Sequence, residues 1–195
     1  MALNVKIDFN DLYETIQTDA DQRSSVFDST LENGEVVRLG VRISSNAHPL
    51  MPNVYNLAFG PIDQNGQISD KAKLTHQNYS KVFSTVISEG LSFLDQHPEY
   101  YLGIDGSNMA RAYMYYRCIQ NNFYYLSSFL SIFGVNYYIR ILRQEEDGTD
   151  LDNDDIITIP KEIDAKELVT AKKLYNYFIF KYKQDKNLLS AYFKK

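Results

Sequence analysis

The sequence contains no tryptophan and a single cysteine, Cys118. One cysteine excludes an intramolecular disulfide and a cysteine-based zinc site, which is typical of a reducing compartment. The N-terminal residues lack the basic and apolar regions of a signal peptide, and no apolar run approaches the length of a membrane span. We therefore expect a cytoplasmic protein that has no contact with a membrane.

An excess of basic residues is also missing, because 20 lysines and arginines face 25 aspartates and glutamates, for a net charge of −5. Binding of nucleic acid through bulk electrostatics needs positive potential, so the composition argues against a protein that coats DNA or RNA. The composition is still compatible with a local basic patch.

No break in composition divides the 195 residues, and we expect a single domain over residues 1–195. Phe9, Leu12, Tyr13 and Ile16 have helical spacing, which predicts a short N-terminal helix at about residues 1–20. Residues 145–155 are strongly acidic with almost no apolar side chain, and they predict a solvated loop.

The pattern of the remaining chain favours strands, a helix, a strand, helices and further strands. Asn33-Gly34 between two alternating runs predicts a hairpin, and residues 54–62 predict a third strand. Apolar residues at spacings of three and four predict a helix at 78–96, followed by a strand at 100–104. A helix, or two, should begin at Ser107 and end at Gly134, before strands at 135–143, 156–160 and 175–183. This order predicts an α+β fold, with a largely antiparallel sheet and two or three helices packed on one face.

Three short motifs resemble a family of small uncharacterised proteins common in Bacteroidetes, a domain of unknown function. They are YNLAFG at 55–60, KVFSTVISEGLSFL at 81–94 and GSNMARAYMYYR at 106–117, and the resemblance runs from about Val54 to Lys183. Gly106, Ser107, Arg111 and Tyr115 match the family's pattern, whereas Asn108 and Tyr113 depart from it. The resemblance implies the fold and a bacterial origin, and it carries no activity.

The candidate site is the junction between the predicted strand at 100–104, which Asp105 follows, and the helix that begins at Ser107. A helix N-terminus offers free N–H groups and partial positive charge, so an anion can bind there. The residues that would form this site are Gly106, Ser107, Asn108, Arg111 and Arg117. The favoured alternative is structural: Ser107 caps the helix, Gly106 permits the turn, and Arg111 pairs with Asp105 or a neighbour.

Asp105 also supports a second interpretation, because "IDGSN" resembles the first strand of metal-dependent ribonucleases of the PIN and NYN kind. A hard cation needs several oxygen ligands, yet no Asp or Glu lies between Gly106 and Arg143. We therefore predict no metal site and no catalytic residue, and we keep Asp105 as the alternative. The Asp150, Asp152 and Asp154 alternation lacks the glycine and glutamate of a calcium loop.

Lysines alternate with aromatic residues near the C-terminus, where Lys172, Lys173, Lys181 and Lys183 could track a phosphate backbone. The favoured alternative is an edge strand that lysines protect against aggregation. His48, His76, His97 and Cys118 show no ligand or catalytic spacing, and we interpret them as structural.

Taken together, these patterns favour an uncharacterised bacterial cytoplasmic domain that acts by binding, with a protein as partner and without a cofactor. We expect no enzymatic activity, and an accessory role in a defence or toxin-antitoxin module. The alternative function is a metal-dependent phosphodiester hydrolase centred on Asp105.

Overall fold

The computed structural model describes residues 4–17, 19–69, 74–106, 109–139, 156–165 and 175–183. In this part of the chain two helices accompany one eight-stranded sheet. The helices are α1 (Tyr79–Gln96) and α2 (Met109–Leu126). The strands are β1 (Ile16–Gln17), β2 (Ser24–Thr30), β3 (Val36–His48), β4 (Met51–Pro61), β5 (Tyr101–Asp105), β6 (Leu130–Ile139), β7 (Ile156–Glu162) and β8 (Tyr177–Tyr182).

The sheet has the order β1-β2-β3-β4-β5-β8-β6-β7. Neighbouring strands are antiparallel except β4 and β5, which are parallel because α1 carries the chain back across the sheet. The α+β class with a largely antiparallel sheet is therefore confirmed. The acidic residues 145–155 lie outside the described residues.

The β2–β3 hairpin forms where Asn33-Gly34 predicts it, although the turn is wider than two residues. Thr30 pairs with Val36, and Gly34 has a φ of +85° whereas Asn33 does not adopt positive φ. Strand β3 extends to His48 and β4 starts at Met51, three residues before the strand predicted at 54–62. Longer strands are possible there because β3 and β4 absorb irregular register between Ile43 and His48.

Helix α2 continues without interruption through residues 120–122, where the sequence left open a kink or a second helix. Asn122 is buried there, and its side-chain amide donates to the carbonyl oxygens of Val5 and Cys118 at 2.8 Å each. The helix ends at Leu126 rather than at Gly134, which lies inside β6. A Cβ at Gly134 would overlap the Tyr175 ring, so close approach explains this glycine.

The N-terminal segment is not a helix over residues 4–15, and that prediction is wrong for this range. Val5, Ile7 and Phe9 are buried while the residues between them are exposed, which is the alternation of an extended chain. The backbone N–H of Ile7 donates to Asn122 Oδ1 at 2.8 Å, and that of Asp8 donates to Ser84 Oγ at 2.9 Å. Side chains of α2 and α1 thus replace the hydrogen bonds that a helix would have made internally.

The buried apolar residues form two clusters. The larger cluster joins residues of α1 and α2 to alternate residues of the strands, among them Leu57, Leu102 and Phe178. The smaller cluster consists of Met51, Val54, Val135, Tyr177 and Ile179. The packing of the helices on a single face stays a prediction.

Strand β8 lies inside the sheet, so the interpretation of the C-terminal aromatic strand as a lysine-protected edge is wrong. It pairs with β5 on one side and with β6 on the other, and Tyr177, Phe178 and Ile179 are each at most 2% exposed. Lys181 lies over the Tyr101 ring, with Nζ 4.9 Å from the ring centroid.

Gly103 of β5 is required by the ring of Tyr177. A Cβ at this position would overlap the hydroxyl and the adjacent ring carbons of Tyr177, which is itself buried. We expect Gly103→Ala to lower the free energy of unfolding by about 3 kcal/mol, measured by urea denaturation. Ser45→Ala, on an exposed position of β3, is the control and should change it by less than about 0.5 kcal/mol.

The same steric cause predicts partial recovery in the double variant Gly103→Ala with Tyr177→Leu. Its loss of stability should be smaller than the sum of the two single losses. Strict additivity would contradict the clash.

Candidate ligand-binding cleft

A cleft opens where β4 and β5 separate. The two strands pair only from Val54–Tyr101 to Asn56–Gly103, and then β4 runs on to Pro61 while Ile104 and Asp105 of β5 pair with β8. In sheets with parallel strands, ligands bind at the carboxyl ends of the strands where the neighbours diverge. This separation places the cleft between β4, the end of β5 and the start of α2.

The cleft has a volume of about 420 Å³, which is within the usual range for small-molecule sites. Its walls come from β4, from the segment between β4 and α1, from α1 itself, and from β5 and α2. Most lining residues are apolar, and the polar ones are Asn56, Ser69, His76, Tyr79, Asp105, Arg111 and Tyr115.

His76 is a buried imidazole in the wall of this cleft, with 8% of its surface exposed. Its Nδ1 lies 2.9 Å from the Ser29 hydroxyl, and its backbone forms a β-bridge with Leu31. Burial lowers the pKa of His76, so the ring is neutral at pH 7 and can present one polar nitrogen to a ligand.

Arg111 and Asp105 bring opposite charges to the same cleft. Asp105 is the last residue of β5, and Arg111 lies in the first turn of α2. The chain turns sharply between them at Gly106, where a Cβ would meet the Ala112 backbone at 2.7 Å. The cleft can therefore offer a guanidinium donor and a carboxylate acceptor to one molecule.

Gly106 and Arg117, two other residues of the predicted anion site, do not line the cleft. The N–H of Gly106 donates to the carbonyl oxygen of Asn176 at 2.9 Å, so it is already used. Arg117 is not in the wall of the cleft, and its Nη1 donates to Gln120 Oε1 at 2.5 Å. Ser107 and Asn108 lie outside the described residues.

Two of the four lysines of the predicted nucleic-acid patch lie within the described residues. Lys181 lies over Tyr101, and Lys183 Nζ donates to the carbonyl oxygen of Ser127 at 2.6 Å. Lys172 and Lys173, like the acids at 150, 152 and 154, lie outside the described residues.

Asp105 also affects His48, whose ring contacts Tyr177 of the smaller cluster. Burial lowers the pKa of His48, and the negative charge of Asp105 acts against that shift. The backbone N–H of Leu50 donates to His48 Nδ1 at 3.2 Å, which requires Nδ1 to be unprotonated. The neutral ring is thus the form that this geometry accommodates.

A second, apolar cavity of about 50 Å³ lies between α1, α2 and the sheet. Apart from Tyr115 and Cys118 its lining is entirely apolar. Burial raises the pKa of Cys118 to about 12, so this thiol stays protonated at neutral pH and reacts slowly. An unfilled cavity of this size costs about 1 kcal/mol of stability.

In the described part of the chain, no three histidine, cysteine, aspartate or glutamate side chains come together as metal ligands. Neither of the two helices there is long and apolar enough to cross a membrane. A hydrolase centred on Asp105 would have to take its remaining metal ligands from elsewhere.

The fold and the cleft define an α+β domain with a mixed polar site at the end of a parallel strand pair. A family model described as "Family of unknown function (DUF6934)" matches residues 10–149, and the chain belongs to this family. The resemblance to a family of unknown function is thereby confirmed, with a match that begins earlier than Val54 and ends before β7. No curated protein and no solved structure matches the chain.

Sequence reasoning missed Asn56, His76 and Tyr79 as cleft residues. His76 carries one visible signal, since it lies just before the helix cap Asn78 in the crossover between the parallel strands β4 and β5. Asn56 lies within an apolar strand, where its neighbours suggest only packing.

We expect the free energy of unfolding to fall when the pH drops from about pH 7 to about pH 5. The pKa values of His48 and His76 lie below 6.5 in the folded state, so in this window the unfolded chain binds more protons. Urea denaturation across the range measures this slope. NMR titration of both imidazoles, folded and in concentrated urea, is the control, and a flat or opposite slope would show that burial does not hold these rings neutral.

Proposed function

We propose that this protein is a binding domain whose cleft holds a small molecule by two groups, an anionic one and a neighbouring hydrogen-bond donor. Arg111 would receive the anionic group, because its planar guanidinium can donate two parallel hydrogen bonds to a carboxylate or phosphate. Asp105 would accept from an ammonium, hydroxyl or amide N–H of the same ligand.

One observation carries this proposal: the buried His76 lines the same cleft as Asp105 and Arg111, although it lies about 30 residues before their strand-to-helix junction. Ligand sites combine an apolar wall with a few convergent polar groups, and this cleft has that composition. His76 adds a neutral imidazole to the polar groups of this cleft.

Binding is favoured over hydrolysis because a phosphodiesterase would need a metal and several oxygen ligands. Asp105 has no cluster of ligating side chains around it within the described residues. The metal-dependent hydrolase, the protein partner and the defence role stay predictions from the sequence.

The test is a titration with glycine, which carries only a carboxylate and an ammonium group, followed by NMR. We expect Arg111→Gln and Asp105→Asn each to raise the dissociation constant about tenfold or more, since each removes a charged hydrogen-bond partner. The unfolding midpoint of each variant, measured alongside, separates a lost contact from a lost fold.

Arg38 and Asp28 provide matched controls, because this exposed ion pair joins β3 to β2 at 2.8 Å and neither residue lines the cleft. Arg38→Gln and Asp28→Asn should leave glycine binding unchanged. Glycine binding that is absent in the wild type, or equal in all five proteins, would refute the proposal.

A further inference from the structure

The polar cleft and the apolar cavity share part of their walls. Leu57, Phe59, Phe83 and Tyr115 line both spaces. A residue that lines two spaces separates them by no more than its own side chain. The polar site is therefore one layer of side chains from an apolar cavity.

Helix α2 connects the two spaces in a regular way. Arg111 lines the cleft, Tyr115 lines both spaces, and Ile119 lines the cavity. These residues follow one another at intervals of four, so they lie on one face of the helix at steps of about 6 Å. A molecule that binds Arg111 and extends along this face reaches the cavity within about 12 Å.

We infer that the ligand is an α-amino acid with an extended apolar side chain. Its carboxylate binds Arg111, its ammonium group binds Asp105, and its side chain passes Tyr115 into the cavity between α1, α2 and the sheet. This inference rests on the proposed function, and it adds the class of ligand. It accounts for the opposite charges in the cleft and for the unfilled apolar space beside them.

The alternatives match these features less well. A fatty acid would fill the cavity but would place no donor opposite Asp105, and a small polar ligand would leave the cavity empty. Filling an apolar cavity that otherwise stays void recovers packing contacts, which gives the longer side chain an advantage in affinity.

The experiment extends the glycine titration to 2-aminobutyrate, norvaline, norleucine and 2-aminooctanoate. These probes keep the carboxylate and ammonium groups and lengthen only the apolar chain. We expect the affinity to rise about fourfold for each methylene that enters the cavity, and then to level off once the cavity is full.

A cavity-filling variant locates the side chain. Val86 lines the cavity and Val41 lines neither space, while both are at most 3% exposed. Val86→Ile should flatten the dependence on chain length and leave glycine binding unchanged, whereas Val41→Ile should alter neither. Both variants add one methyl group to a buried valine, so they are matched in chemistry.

Cys118 gives an independent readout, because it lines the cavity and is the only cysteine of the chain. Norleucine at saturation should slow the modification of Cys118 by methyl methanethiosulfonate, measured by mass spectrometry, and glycine should not. Equal rates with both amino acids would place the side chain outside the cavity and overturn the inference.

The outcomes separate this inference from the proposed function. If all five amino acids bind with equal affinity and still require Arg111 and Asp105, the polar site stands and the inference is wrong. If none binds in a way that depends on Arg111, the proposed function fails and the inference fails with it.

Discussion

The short parallel pairing of β4 with β5 is the constraint on which the rest of the structure depends. It covers three residue pairs, because α1 returns the chain to the sheet beside the middle of β4 and not along its full length. Beyond Asn56, β4 pairs with no described strand on that side, and the space is bounded by the junction of β5 with α2. A longer pairing would have closed the sheet where the cleft now lies.

The helices are held in place partly by a segment without regular structure. Residues 4–9 run extended, and serine and asparagine side chains of α1 and α2 accept their N–H groups. Val5, Ile7 and Phe9 belong to the larger apolar cluster together with both helices. The positions of both helices therefore depend partly on hydrogen bonds from this segment, whose partners the sequence alone does not predict.

Local patterns in the sequence were sufficient for most elements of the fold. The stripe of α1, the alternation of β3 and the strand that ends at Asp105 each carry a periodicity that burial imposes. The order of strands has no such local trace, and the interior place of β8 was missed because lysines beside aromatics also suit an edge. His76 was missed as part of a site because its role depends on Ser29, a hydrogen-bond partner 47 residues away in the sequence. Asp105 and Arg111 were found because a strand-to-helix junction is visible in the sequence itself.

The position of β8 also has a consequence for how the chain acquires its structure. Residues 177–182 lie between β5 at 101–105 and β6 at 130–139, and the family match ends at residue 149. During synthesis, β5 and β6 leave the ribosome long before the strand that joins them. Until that strand arrives, each exposes an apolar edge to solvent or to a chaperone. An interior strand of the sheet is thus the last of the eight strands to be synthesised.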